Sequence, residues 1–182
     1  MTVVAKVREE YAVDDQQIFV MGVSNGGFMT QRLAMEHSET FSAAGVIIAS
    51  MGQAIEKDFH PKLPVSMLYM NGTSDPLVPY AGGPVKVDIF PRLRKRRGIP
   101  LKDRGSCIAT DAAVQHWLDR NGLESNPTVT KIDDAVKTDS SRIELSLWTG
   151  GERNSAVALY KVIGGGHGIP GCLLYTSDAA DE

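Results

Sequence analysis

The chain has 182 residues, 19 Lys+Arg against 22 Asp+Glu, a formal charge of −3 and 42% hydrophobic residues. That is the composition of a folded globular domain, and it excludes a disordered tail, a collagen-like fibre and a disulfide-stapled mini-protein. The small negative charge offers nothing to nucleic acid or to an anionic membrane surface.

Residues 3–11 read as the end of an amphipathic helix, stopped by Asp14-Asp15. Residues 17–21 (QIFVM) are a short apolar run rich in strand formers and closed by a glycine. Residues 28–37 (FMTQRLAMEH) space Phe28, Met29, Leu33 and Ala34 as a helix does. Residues 43–49 (AAGVIIA) and 65–70 (VSMLYM) are further buried-strand candidates, the second followed by the turn-rich NGTSDPLVP. Strand, helix, strand, strand implies crossover connections and predicts an α/β fold, a mostly parallel sheet flanked by helices. The nearly continuous apolar strands predict that both sheet faces are covered. Residues 81–105, with AGGP and PRLRKRRG, read as a surface excursion. Residues 111–121 return to a helix, with Val114, Trp117 and Leu118 on one face, so that Trp117 lies in the core and His116 outside. Residues 128–132, 142–148 and 156–163 are strand candidates, the last two joined by the turn TGGERNS. Neither a repeat nor a linker divides the chain, so residues 1–171 are expected to belong to one domain. Residues 172–182 (CLLYTSDAADE) continue no pattern. They resemble the translation of a transposon-type sequencing adapter and are expected to be a non-native tail.

Gly22-Val23-Ser24-Asn25-Gly26 is a G-x-S-x-G. Alone it is weak, but an apolar strand runs into it and a helical segment runs out, the setting of the nucleophile elbow of an α/β-hydrolase. In such a turn the flanking glycines avoid collisions of side chains with adjoining backbone. The turn lifts Ser24 Oγ clear of the sheet and sets the Asn25 N–H at a helix N-terminus, where it can stabilise an oxyanion. A hydroxyl needs a base, and an imidazole base needs a carboxylate to orient it. Of four histidines, His37 ends the helix after Ser24, His60 lies in a polar loop, and His116 lies on the Trp117 helix. His167 follows an apolar strand and three glycines, a late loop with enough backbone freedom to carry an imidazole to the elbow, and it fits the chain order serine, acid, histidine. His60 would have to use Glu36, Glu39, Glu56 or Asp58. Asp75 has the strand-then-turn setting, with Pro76 keeping it extended; Asp88, Asp133 and Asp134 lack it.

Three blocks, GVSNGGFMTQRLAMEH, MNGTSDPLVPYAGG and GGGHGIPG, resemble those of the poly(3-hydroxybutyrate) depolymerase and feruloyl or acetylxylan esterase group of α/β-hydrolases. The segment around Trp117 and Asn121-Gly122 also resembles that group. The resemblance implies Ser24, Asp75 and His167 as a catalytic triad, Asn25 as one oxyanion-hole donor, a small-molecule or polymeric ester as substrate, and a secreted or periplasmic protein. It implies no metal and no organic cofactor. Leu123 stands where the group has cysteine, Asn71 where it has histidine before Gly72, and Ile169 where it has tryptophan. The group places several strands before the elbow, including the loop that gives the second oxyanion donor, and a helix after the histidine loop. The chain is therefore expected to be a fragment, a partial α/β-hydrolase fold lacking the N-terminal strands and poor in activity by itself. A serine peptidase of the oligopeptidase type is the rival reading, and a catalytically incompetent fragment is the other.

The rest reads as structure. The basic run 92–97 is expected to be solvated rather than bound to nucleic acid. Cys107 lacks zinc-ligand spacing, Asp133-Asp134 is a solvated turn, and two cysteines, Cys107 and Cys172, are too few for a disulfide framework. Nothing reaches the roughly 18–20 apolar residues of a membrane span. The first twenty residues lack the pattern of a signal peptide. Oligomeric state is not readable.

Overall fold

The apolar runs become strands of one sheet in the computed structural model, which describes residues 2–86, 104–134 and 138–169. Helix α1 (Thr2–Glu10) precedes β1 (Phe19–Val23), α2 (Asn25–Glu36), β2 (Ala43–Ile47), the single turn α3 (Gln53–Glu56) and β3 (Ser66–Gly72). After β4 (Gly83–Pro84) and β5 (Ser106–Cys107) come α4 (Thr110–Asn121), β6 (Thr128–Lys131), β7 (Arg142–Trp148), a 3-10 turn (Glu152–Asn154) and β8 (Val157–Ile163). The six-stranded sheet has the order β1-β2-β3-β8-β7-β6, and β4 and β5 form a separate antiparallel pair. That pair closes the base of the predicted excursion. Asp88, the basic run 92–97, Pro170, Gly171 and the tail 172–182 lie outside the described residues.

Strands β1, β2, β3 and β8 are mutually parallel, and β7 and β6 extend the sheet antiparallel. The register aligns Val20, Ala44, Met67 and Val157 in one row across the parallel strands. That row faces the core, together with Val46, Tyr69 and Leu159. Helices α2 and α4 cover this face. They meet where Trp117 Nε1 donates to Gln31 Oε1 at 3.3 Å, and Tyr69 Oη donates to the same oxygen at 2.5 Å. Trp117 is fully buried, as its helical position predicts, whereas His116 is half-buried and pairs with Glu56 Oε1 at 3.2 Å. Gln31 Nε2 is buried without a partner. An orphaned donor of this kind costs roughly 1–3 kcal/mol, set against the two bonds that the Gln31 oxygen accepts.

The expectation that both sheet faces are covered is corrected. The next row, Met21, Gly45, Leu68 and Ala158, lies on the opposite face, and burial alternates along β2, β3 and β8. Apolar content could not reveal this, since alanine, glycine and methionine suit a covered or a half-covered face alike. Helix α1 forms where predicted but buries no residue, and Val3 and Val7 stay exposed. Among the described residues no helix is long and apolar enough to cross a membrane.

Among the described residues β1 is an edge strand of the sheet, and Phe19 and Met21 on it are 63% and 74% exposed. Exposed apolar edge strands are templates for pairing between chains. Phe19→Lys is therefore expected to raise the concentration at which light scattering detects association, while the urea midpoint shifts by less than the equivalent of about 0.5 kcal/mol.

Candidate active site

All four parallel strands release the chain at the same rim, and the chemistry-bearing residues lie in the loops there. Ser24 directly follows β1 and is the N-cap of α2, with φ 52° and ψ −117°. A positive φ is uncommon for a residue with a side chain. Ser24 N–H donates to Ile47 O at 2.9 Å, which ties the strained turn to the end of β2. Asn25 opens α2, so its N–H is among the amides a helix leaves without an intrahelical acceptor.

Asp75 follows β3. Its carboxylate Oδ1 accepts from Leu77 N at 2.8 Å and Val78 N at 2.9 Å. Pro76 has no N–H to offer, so the two following amides close a turn on the carboxylate. Oδ2 stays free to face His167 Nδ1 at 2.7 Å. The Asp75 side chain is only 2% exposed and that of His167 15%. His167 Nε2 lies 2.9 Å from Ser24 Oγ. A carboxylate can only accept, so Nδ1 carries the proton and the Nε2 lone pair faces the serine hydroxyl. Sequence reasoning singled out these three residues from distant stretches, and the structure brings them into one hydrogen-bonded chain.

The approach of the acid and histidine loops depends on Gly72. A Cβ there would lie 2.3 Å from Gly165 O. With that space empty, Ser74 N–H reaches Gly165 O at 2.9 Å and Gly164 N–H reaches Thr73 Oγ1 at 2.9 Å. Sequence reasoning assigned no role to Gly72. The triple glycine before His167 suggests a loop with backbone freedom, whereas the loop is pinned by these two bonds.

At the elbow, the expected role of the flanking glycines holds for Gly22 but not for Gly26. A Cβ on Gly22 would meet Gly26 O at 2.3 Å, whereas one on Gly26 would meet nothing within 4 Å. The tight second position is Gly27, whose Cβ would lie 2.6 Å from Ala49 Cβ. The doubled glycine after Asn25 was the available signal.

The other histidines do other work. His37 caps α2 through its N–H to Leu33 O, and His60 is exposed. Of the alternative acids, Glu36 pairs with Arg32, Glu39 with Lys62 and Glu56 with His116. Asp133 and Asp134 are exposed, and Leu123 packs against the core. Among the described residues no group of three or more His, Cys, Asp or Glu is placed to hold a metal ion.

Behind the acid loop, burial first and then Asp111 push the Tyr80 hydroxyl well above its ordinary range; that hydroxyl donates to Asp111 Oδ1 at 2.5 Å. Burial likewise raises the Cys107 thiol, which sits near Pro79 O and Gly83 O. A thiol kept neutral and buried is a poor nucleophile. Iodoacetamide at pH 8 should label Cys107 far more slowly in the folded protein than in urea, as read by peptide mass mapping.

The glycine contrast gives a second expectation. Gly22→Ala forces backbone apart and is expected to lower stability by about 1–3 kcal/mol and to slow Ser24 phosphonylation by a fluorophosphonate. Gly26→Ala, in open space within a helix, should leave stability equal or higher by up to about 1 kcal/mol.

Residues 1–75, which contain Ser24 and end on Asp75, match the Prolyl oligopeptidase family. The chain is 24% identical over 159 residues to a protein named "Putative esterase NocK" of Nocardia uniformis subsp. tsuyamanensis, an alignment that takes in 87% of this chain and 44% of that one. Among solved structures, the acetyl xylan esterase from Aspergillus awamori superposes with a TM-score of 0.51 at 16% identity, over 98% of this chain and 62% of its own. The chain thus spans less than half the length of the curated relative it matches. With a mostly parallel sheet flanked by helices and a serine turn between strand and helix, this chain has the α/β-hydrolase fold and is similar to esterases.

Proposed function

We propose that this protein is a serine hydrolase that cleaves carboxylic esters through an acyl-enzyme. The observation that carries the reading is the hydrogen-bonded chain from Asp75 Oδ2 through both nitrogens of His167 to Ser24 Oγ. Ser24 Oγ attacks the ester carbonyl carbon while His167 Nε2 takes the hydroxyl proton. Asp75 holds the ring in that tautomer and stabilises the imidazolium. The Asn25 N–H, at the positive end of α2, donates to the carbonyl oxygen as it becomes an oxyanion. His167 then returns the proton to the departing alkoxide, and the alcohol leaves. Water deprotonated by the same nitrogen attacks the acyl carbon, releasing the acid and restoring Ser24.

Ester preference, with feruloyl, acetylxylan or hydroxybutyrate esters as candidate substrates, is supported by the three sequence blocks and by the esterase names of the relatives. The same group resemblance supports a secreted or periplasmic location. The match of residues 1–75 to the Prolyl oligopeptidase family favours a second reading, an amide-cleaving peptidase with the same three residues.

A panel of p-nitrophenyl acetate, methyl ferulate and aminoacyl-prolyl nitroanilides tests both. Esters are expected to turn over, weakly in this 182-residue chain by itself and faster in a longer parent protein, and amides not. Fast amide cleavage without ester preference would replace the esterase reading by the peptidase one. Ser24→Ala should lower kcat by more than about 10⁴-fold, and Asp75→Asn by about 10⁴-fold. Turnover that survives Ser24→Ala would overturn the mechanism.

A further inference from the structure

We infer that Asn71 is a positioning residue, which holds Ser24 against His167 by clamping the turn on which the nucleophile loop rests. Its catalytic consequence rests on the hydrolase reading; the clamp itself does not.

Asn71 is 5% exposed and lies near the end of β3, ahead of Asp75. Its Oδ1 accepts from Ala49 N at 3.1 Å, and its Nδ2 donates to Ala49 O at 2.8 Å and to Thr110 Oγ1 at 2.9 Å. The side-chain amide thus takes both backbone groups of one residue, as a strand neighbour would, and adds a third bond to the start of α4. Ala49 follows Ile48, which sits at φ 45°. A β-branched residue there is strained and persists only where its surroundings over-determine it. Ile48 N–H donates to Met70 O at 2.8 Å, so β3 holds this turn from two consecutive residues.

The turn is the seat of the nucleophile. Ile47 O accepts the Ser24 N–H at 2.9 Å, and Ala49 Cβ closes on Gly27 in the first turn of α2. Thr110, the third partner, donates its N–H to Tyr80 O at 2.8 Å, which ties in the loop that begins at Asp75. One buried amide therefore joins the nucleophile's support, the acid's strand and the far end of the acid loop.

The fold contains its own control. Asn121, fully buried at the end of α4, makes the same pair of bonds to Val65, just before β3: Oδ1 accepts from Val65 N at 3.3 Å and Nδ2 donates to Val65 O at 2.8 Å. It does so at the opposite end of β3 from the rim. A role in stability alone would make the two asparagines equivalent.

The experiment compares Asn71→Ala with Asn121→Ala. Both are expected to lower the urea midpoint. Asn71→Ala should also lower kcat for p-nitrophenyl acetate by about 10- to 100-fold with KM within about twofold, as for a displaced nucleophile rather than lost binding. It should speed native-state hydrogen exchange at the Ser24 amide by about tenfold or more over Asn121→Ala. Asn121→Ala should leave kcat within about twofold of the parent. Thr110→Val keeps shape and the Ala49 bonds and should show the same pattern at smaller amplitude; if Asn71→Ala does not fold, it takes that variant's place in the comparison. Equal Ser24 exchange and equal kcat in the variants of the two ends would overturn the clamp. A parent without Ser24-dependent turnover would overturn the hydrolase reading instead, and amide exchange would still decide the clamp.

Discussion

His167 must satisfy two partners at once, one at each ring nitrogen, and an imidazole has no flexibility between those nitrogens. Once Asp75 fixes Nδ1, the direction of Nε2 is fixed too, and Ser24 Oγ must come to it. The burden falls on the backbone. β3 and β8 are parallel neighbours, paired from Met67↔Val157 to Gly72↔Val162, so the acid and histidine loops leave the sheet side by side. Gly72 lets the Gly165 carbonyl settle where a side chain would stand, and the Ser74 N–H fastens it. The remaining partner arrives across two strands, from β1 by way of β2. The route from Ser24 to His167 is thus a chain of strand pairings and rim contacts, and an error in any of them moves one atom away from another.

Two of the five non-glycine residues with positive φ among the described residues lie along that route. Ser24 and Ile48 both hold positive φ, and they occupy adjoining loops joined through Ile47 O. Neither conformation is favourable by itself, each costing of order 1–3 kcal/mol. The two are braced by the same neighbours: β3 from one side through Asn71 and Met70, and α2 from the other through Gly27. The positive φ values at Arg153 and Asn154 belong to the connection between β7 and β8, where a reversing chain explains them without reference to the rim.

Much of this was legible in the sequence, for identifiable reasons. Apolar runs of strand formers gave β1, β2, β3, β7 and β8 because burying such runs leaves the backbone few alternatives to a sheet. The structure shifts their bounds by a residue or two and carries β1 into the glycine motif. Chain order and strand exits were enough to choose His167 over His60 and Asp75 over Asp133. What stayed hidden depends on three-dimensional neighbours. Gly26 and Gly27 are adjacent letters, yet only Gly27 faces Ala49, since a helix turns them by about 100° relative to each other. Asn71 and Asn121 entered the sequence reading only through the resemblance to the esterase group, because what they bind lies in the backbone groups of Ala49 and Val65, distant in sequence. The half-covered sheet face was hidden because residue type reports how apolar a strand is, not how many layers lie against it.

The same architecture separates chemistry from selectivity. The Ser24, Asp75 and His167 side chains lie just past strand ends and are held by backbone bonds that take no account of a substrate. On the proposed reading Ser24, with His167 as base and Asp75 behind it, attacks an ester or an amide with the same first motion. On the proposed reading, choice of substrate falls to the residues around them. Ile169 stands two positions past His167, where the resembling esterases carry a tryptophan, and a branched aliphatic side chain offers a smaller wall than an indole ring. Position 169 lies beyond the end of β8, so a substitution there leaves untouched the strand pairings that hold the imidazole. On the proposed reading the hydrogen-bonded chain can thus persist while the preferred ester changes.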